Sequence, residues 1–355
     1  MRRRDALWLA ALAPALARAD AVRRGRELRF PRDHGAHPDA RIEWWYATGW
    51  LGDFEAPTHG FQLTFFRSRT GLAADNPSRF APRQLLFAHA AVTELGARRH
   101  RHAQRIARWS GAADATAARA STEGADLRIG DWTFVDDGAA YAARLADDDF
   151  AIELRLHRQQ PALLQGDRGF SRKGPQEAQA SHYVTEPQLR VDGALRLDGR
   201  PVAARGLGWL DHEWSDELMA SDAVGWDWIG INLADGSALT AFQLRRADGS
   251  ALWAGGSFRR PGWPATAFGP DEVEFAAGRR WTSPASSARY PVQWSLRTPA
   301  GAFEVRALLD AQELDSRAST GTIYWEGLSE LRDRDGRRIG LGYLEMTGYA
   351  GRLRL

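Results

Sequence analysis

The sequence predicts an all-β protein built from two antiparallel barrel units in tandem. Three observations predict it: apolar and polar side chains alternate along most ordered stretches, helical periodicity is scarce, and the chain repeats itself.

Alternation comes first. "GFQLTFFR" sets Phe61, Leu63 and Phe65 against Gln62 and Thr64, and "FAIELRLH" puts Phe150, Ile152, Leu154 and Leu156 on one side. "SALTAFQLRR" and "GAFEVRALL" behave alike, and Gly-Asp, Asp-Gly and Pro-Gly pairs punctuate the runs. Residues 112–120 ("AADATAARA") suit a short helix or a loose loop. Residues 165–181 ("QGDRGFSRKGPQEAQAS") lack alternation and read as a long loop, a place where function concentrates.

The repeat is the third element. Trp44-x-Tyr46 is followed by Leu51-x-Asp53 and Phe61-Gln62-Leu63. Trp226-x-Trp228 is followed by Leu233-x-Asp235 and Phe242-Gln243-Leu244, with only the last spacing differing by one. Gly206-Leu207-Gly208-Trp209-Leu210-Asp211 is echoed by Gly340-Leu341-Gly342-Tyr343-Leu344-Glu345. Two echoes in the same order predict related domains at 28–216 and 217–355. Each suits an antiparallel barrel of roughly eight strands able to enclose a small ligand, with a sandwich as the alternative.

Composition narrows the function. The chain has no cysteine, which excludes disulfides, thiolate nucleophiles and cysteine metal sites. It has 15 tryptophans, and large flat apolar faces suit unsaturated ligands as well as a core. Lys173 is the only lysine, and the arginines lie scattered among acids with no basic stripe, so no nucleic-acid partner is expected. The start, "MRRRDALWLAALAPALARA", reads as an export signal over residues 1–19, with a basic head, a short apolar run and an A-x-A-like end. The adjacent arginines suggest the twin-arginine route. Cleavage after Ala19 removes four arginines and one aspartate and takes the formal charge from +2 to −1. The expected location is periplasmic or secreted.

The densest chemistry is "RGLGWLDHEWS", with Asp211, His212, Glu213 and Trp214 in one run. On a strand His212 and Trp214 share one face, and Asp211 and Glu213 the other. An acid recurs at 211 and 345, so Asp211 serves the fold in this reading, and chemistry is expected from the unshared His212 and Trp214 on a barrel's inner face. Adjacent residues on a strand cannot all reach one ion, and no HExxH or His-x-His pattern is present, so no metal is expected. No G-x-S-x-G elbow is present either. Glu43, Glu186, Asp211, Glu213, Asp227 and Glu326 lie among aromatics. Burial would keep such acids protonated near neutral pH, able to protonate an alkene whose cation the indole faces stabilise. The plainer reading pairs these acids with arginines. His89 reads as a satisfied core histidine, and His34 and His37 as turn residues.

"FPRDHGAHPDARIEWWYATGWL", "GFQLTFFR", "GLGWLDHEWS" and "GWDWIGINLADGSALTAFQLRR" resemble the AttH family, related to the carotenoid 1,2-hydratases, over nearly all of the chain beyond residue 28. The resemblance implies two lipocalin-like β-barrel domains and a hydrophobic, isoprenoid or lipid, ligand. It implies hydration without a cofactor, with His212 and Trp214 of "DHEW" and Asp227 of "GWDW" as the matching residues. Asp211 and Glu213 complete the candidate catalytic set. Trp214, Trp226, Trp228, Trp44, Trp45, Tyr46 and Tyr183 are the candidate ligand-binding aromatics. The association of AttH-type proteins with ABC-type export systems implies the alternative, a non-catalytic lipid carrier.

Overall fold

The computed structural model describes residues 22–72, 78, 81–111, 117–217 and 219–353. The expected export signal at residues 1–19 and residues 112–116 lie outside the described residues. Among the described residues the fold is all-β, with a single turn of 3-10 helix at Arg32–His34.

The first sheet holds β1 (Ile42–Gly52), β2 (Pro57–Arg69), β3 (Gln84–Glu94), β4 (Arg99–Trp109), β5 (Ala118–Ala120), β6 (Asp126–Ile129) and β7 (Trp132–Asp136). It continues with β8 (Tyr141–Ala146), β9 (Phe150–His157), β10 (Leu163–Leu164), β11 (Phe170–Arg172), β12 (Ala180–Leu197) and β13 (Arg200–Ser215). The order β4-β3-β2-β1-β13-β12-β9-β8-β7-β6-β5 is antiparallel at every pairing, and the edge strands β4 and β5 meet, so the sheet nearly closes on itself.

The second sheet holds β14 (Gly225–Leu233), β15 (Ala238–Arg245), β16 (Ala251–Arg259), β17 (Thr266–Phe268) and β18 (Glu274–Ala277). After a small separate hairpin, β19 (Arg280–Thr282) with β20 (Arg289–Pro291), come β21 (Gln293–Thr298), β22 (Gly301–Ala307), β23 (Glu313–Ser316), β24 (Thr322–Arg332) and β25 (Arg338–Met346). Its order is β17-β16-β15-β14-β25-β24-β22-β21-β18. These are lipocalin-like antiparallel barrels, and the alternation read in the sequence is what forms them.

Each barrel has its own core. Trp45, Phe61, Leu63, Phe65, Ile152 and Leu210 pack inside the first, and Ile229, Ile231, Tyr290, Trp294, Trp325 and Leu344 inside the second. A third apolar cluster joins them. Tyr46, Trp50, Trp209, Trp228, Phe242 and Tyr343 come from the outer faces of both sheets and pack against one another. β1 is therefore covered on both faces, and eight of its eleven residues are buried. Polar ties reinforce the junction. At the bulge in β12, Gln188 takes a positive φ and donates its backbone N–H to Asn232 at 2.8 Å, while Asn232 donates to the Gly208 carbonyl at 2.9 Å.

The glycine echo has a steric cause. A Cβ on Gly206 would lie 1.9 Å from the Trp50 carbonyl oxygen, and one on Gly342 1.9 Å from that of Gly230. Each Gly-Leu-Gly run holds one position where neighbouring backbones meet too closely for any side chain.

Candidate functional site

The chain's chemistry meets in a cavity of about 300 Å³ between the two barrels, walled by β1, β2, β3, β12, β13, β14, β15, β24 and β25. The period-2 rule decides which residues reach it. On β1 Trp44 and Tyr46 do, on β13 Asp211 and Glu213, on β14 Trp226 and Trp228, and on β12 Tyr183. Their neighbours Trp45, His212 and Asp227 do not line it.

Asp211 is buried and accepts three hydrogen bonds, from Thr185 Oγ1 (2.6 Å), Tyr183 OH (2.7 Å) and Trp209 Nε1 (2.9 Å). Burial pushes its carboxyl up to about 7 in spite of these donors. Tyr183 in turn accepts from Trp228 Nε1 at 2.9 Å. Glu213 pairs with Lys173 Nζ at 2.9 Å and accepts from Ser181. Glu345 and Glu326 sit opposite each other on β25 and β24. Burial first, and then neighbouring acids, push both upward, Glu345 to about 8. Tyr46 OH and Glu326 Oε2 are buried without a well-formed hydrogen bond, although the carboxyl lies close enough to Tyr46 and Tyr324 for each to bear on its ionisation.

The inner face carries a different network. His212 Nε2 lies 2.9 Å from Glu43 Oε1, and His37 Nδ1 lies 2.7 Å from the same oxygen. His37 Nε2 meets Asp33 at 2.9 Å, and Arg67 Nε donates to Glu43 Oε2 at 2.8 Å. Burial alone would raise Glu43. Arg67, His37 and His212 hold it well below the usual carboxylate range. Trp45 stacks on His212 at 4.6 Å, and Trp214 on His37 at 3.7 Å. His37, Glu43 and His212 present ligand atoms within 4.8 Å of one another, a spacing a divalent ion could use. The charges speak against it. Asp33 and Glu43 are already balanced by Arg26 and Arg67, so a dication would add two uncompensated buried charges. The set is a hydrogen-bonded brace.

A sequence model of the AttH-like family, described as AttH-like, matches residues 21–349. The chain belongs to the AttH-like family. An AttH crystal structure from Nitrosomonas europaea is 44% identical, with a TM-score of 0.83 over 92% of this chain and 99% of that one. Kievitone hydratase from Nectria haematococca superposes with a TM-score of 0.67 at 14% identity, covering 92% of this chain and 94% of that one. CghA with Sch210972 gives 0.54 at 13% identity, covering 88% and 90%. At these identities the last two share the fold. No curated protein matches the chain in sequence.

In this AttH-like chain the repeat explains the site. Trp44 and Trp226, Tyr46 and Trp228, and Asp211 and Glu345 are equivalent pairs, and all six line the one cavity. The Phe-Gln-Leu echo does not follow. Tyr46 pairs with Thr64 where Trp228 pairs with Phe242, so the one-residue difference in spacing flips the face. Phe61 and Leu63 enter the first core, while Phe242 and Leu244 turn to the cavity.

The structure does not bring all the sequence candidates together. Asp211, Glu213, Trp44, Tyr46, Tyr183, Trp226 and Trp228 line the cavity. His212, Trp214 and Trp45 sit on the inner face of the first barrel, packed solid. Asp227 lies inside the second barrel, ion-paired to Arg245 (2.8 Å) and bonded to Gln243 and Tyr349. His212 and Trp214 thus lie on a barrel's inner face, as the alternation predicts, while Asp211 turns to the cavity between the barrels. Sequence reasoning missed Lys173, Glu345 and Tyr324 at the cavity. Glu345 had a signal in its echo of Asp211. Lys173 had one as the sole lysine, set in a long loop. His89 reaches the cavity wall with Nδ1 2.7 Å from Tyr324 OH and Nε2 2.9 Å from Ser319 Oγ.

Proposed function

We propose that the protein binds an unsaturated apolar molecule, an isoprenoid or lipid, between its barrels and adds water across a double bond by acid–base chemistry. The observation that carries this is a set of three carboxyls with no cationic partner among the described residues, Asp211 and Glu326 buried and Glu345 half-buried, on the wall of a cavity lined by indoles and phenols. The Glu326–Glu345 pair holds a proton near neutral pH and delivers it to the alkene. The cation that forms faces Trp226 and Trp228. A water adds to it, and Asp211 takes the released proton, since its affinity near pH 7 suits either role. The tyrosines stay neutral, because burial raises Tyr46, Tyr183 and Tyr324 well above their ordinary range, and Tyr183 orients Asp211 as a hydrogen-bond donor. A hydratase stands on the same fold, and at 14% identity it speaks for the scaffold.

Ester hydrolysis fits less well. Ser319, His89 and Tyr324 form a hydrogen-bonded chain at the cavity, yet burial holds the His89 imidazole down to about 3 and among the described residues no carboxylate bonds to the ring.

The test is turnover in water labelled with oxygen-18, using ten- and fifteen-carbon isoprenoid alcohols and a prenylated phenol. The expected product carries one added, labelled water. Binding of these compounds with no label incorporated into any of them would overturn the hydratase reading in favour of a carrier.

A further inference from the structure

We propose that the cavity between the barrels binds stable hydrophobic ammonium cations, with the Glu326–Glu345 pair giving up one proton for each cation taken in. The inference shares its cavity with the proposed hydration and deepens it, because an ammonium has the charge and size of the carbocation that hydration requires.

The charge balance of the wall leads there. Arg67 is spent on Glu43, and Lys173 on Glu213. His89 is kept neutral by burial. Tyr46, Tyr324 and Tyr343 carry no charge. Asp211 is held by its three donors, and Asp227, on the far face of β14, is paired with Arg245. Among the described residues nothing positive remains to face Glu326 and Glu345, which stand opposite each other across β24 and β25. Two carboxyls paired across neighbouring strands in an apolar wall, one buried and one half-buried, resist ionising together, and the proton they keep is the only counter-charge among the described residues. Glu326 Oε2, in a residue only 2% exposed, has no hydrogen-bond partner. A cation supplies what this site lacks, and the proton leaves when it arrives.

A second observation is independent of the acids. The wall already holds one ammonium, that of the chain's sole lysine. Lys173 Nζ lies 4.1 Å from the centroid of the Phe242 ring and 4.5 Å from that of Tyr183, with the Glu213 carboxylate at 2.9 Å. This is the arrangement a ligand cation would need, aromatic faces plus one carboxylate. Trp226 and Trp228 beside Glu345 offer the same pair of elements with no lysine in place.

The probes are benzyltrimethylammonium and neopentylbenzene, which have the same shape and differ by one charge. At pH 8 the cation is expected to bind at least about tenfold more tightly than the hydrocarbon, a difference of about 1.4 kcal/mol. The preference should shrink toward pH 6. Calorimetry at pH 7 in phosphate and in Tris should show close to one proton released per cation. The double variant E326Q/E345Q should lose the preference while keeping its affinity for neopentylbenzene, which also reports that the cavity is folded. Equal binding of the two probes at pH 8, no proton release, or a preference that survives in the double variant would each overturn the proposal. Cation selectivity without hydratase turnover sinks the hydration reading alone, and turnover without cation selectivity sinks this one alone.

Discussion

Replacing Arg67 with methionine is expected to destabilise the protein by about 3–5 kcal/mol, the usual result of removing one partner of a fully buried ion pair. Arg67 is wholly buried and uses its whole guanidinium. It donates to Glu43 (2.8 Å), to Gln84 (2.7 Å) and to the carbonyls of His37 (2.8 Å) and Ala40 (2.9 Å). Methionine fills similar space and satisfies none of these acceptors. The Glu43 carboxylate, which also holds His37 and His212, is left without its cation. Urea unfolding at pH 7 measures the loss. A second substitution, Glu43→Gln, in the same chain should recover a large part of it, because the stranded charge goes. A loss below about 1 kcal/mol for Arg67→Met would contradict the view of this inner network as a structural brace.

Glu345→Gln is expected to act in two directions at once. It removes the proposed proton donor, so the proposed hydration should fall by roughly 10²–10⁴-fold, the range for a positioned general acid. It also removes a cost. Burial raises Glu345 from 4.5 to about 8, so the folded protein holds a proton that the unfolded chain releases in between. For a carboxyl raised in this way, stability is greatest below about pH 4.5 and is lost as the pH climbs toward 8, by about 1.4 kcal/mol for each unit within the window. Glutamine does not titrate. The variant should therefore match the wild type most nearly at pH 5 and gain on it by pH 9, as read from urea midpoints at the two values. A difference independent of pH would mean that Glu345 is already ionised in the folded state. That would remove the proposed acid.

The two substitutions separate the two faces of the same strands. Alternation in the sequence showed that Asp211 and Glu213 would part from His212 and Trp214, and the structure places them so. It could not show which face would be the working one, because β1 and β13 are covered on both sides, and apolar residues on both faces blur the difference between core and interface. The partners of His212 were equally hidden. Glu43 lies 169 residues away in sequence, and only the pairing of β1 with β13, which sets Trp45 against His212, brings them together. The pair Asp211 and Glu345 was legible as an echo. Its meaning depended on the packing of one sheet's outer face on the other, which no local pattern encodes. Arg245 likewise meets Asp227 only through the register of β14 and β15, so the acid of "GWDW" reads as available in sequence and proves to be paired in the fold.

The ligand is expected to lie between the barrels and not inside one. A crystal of the protein soaked with a bromine-labelled ten-carbon isoprenoid alcohol tests it directly, because the anomalous signal of bromine locates the molecule without interpretation of its shape. The account predicts a peak in the space bounded by Trp44, Trp226, Trp228 and Glu345. A peak within either barrel, against Trp45 and His212 or against Trp294 and Trp325, would contradict it.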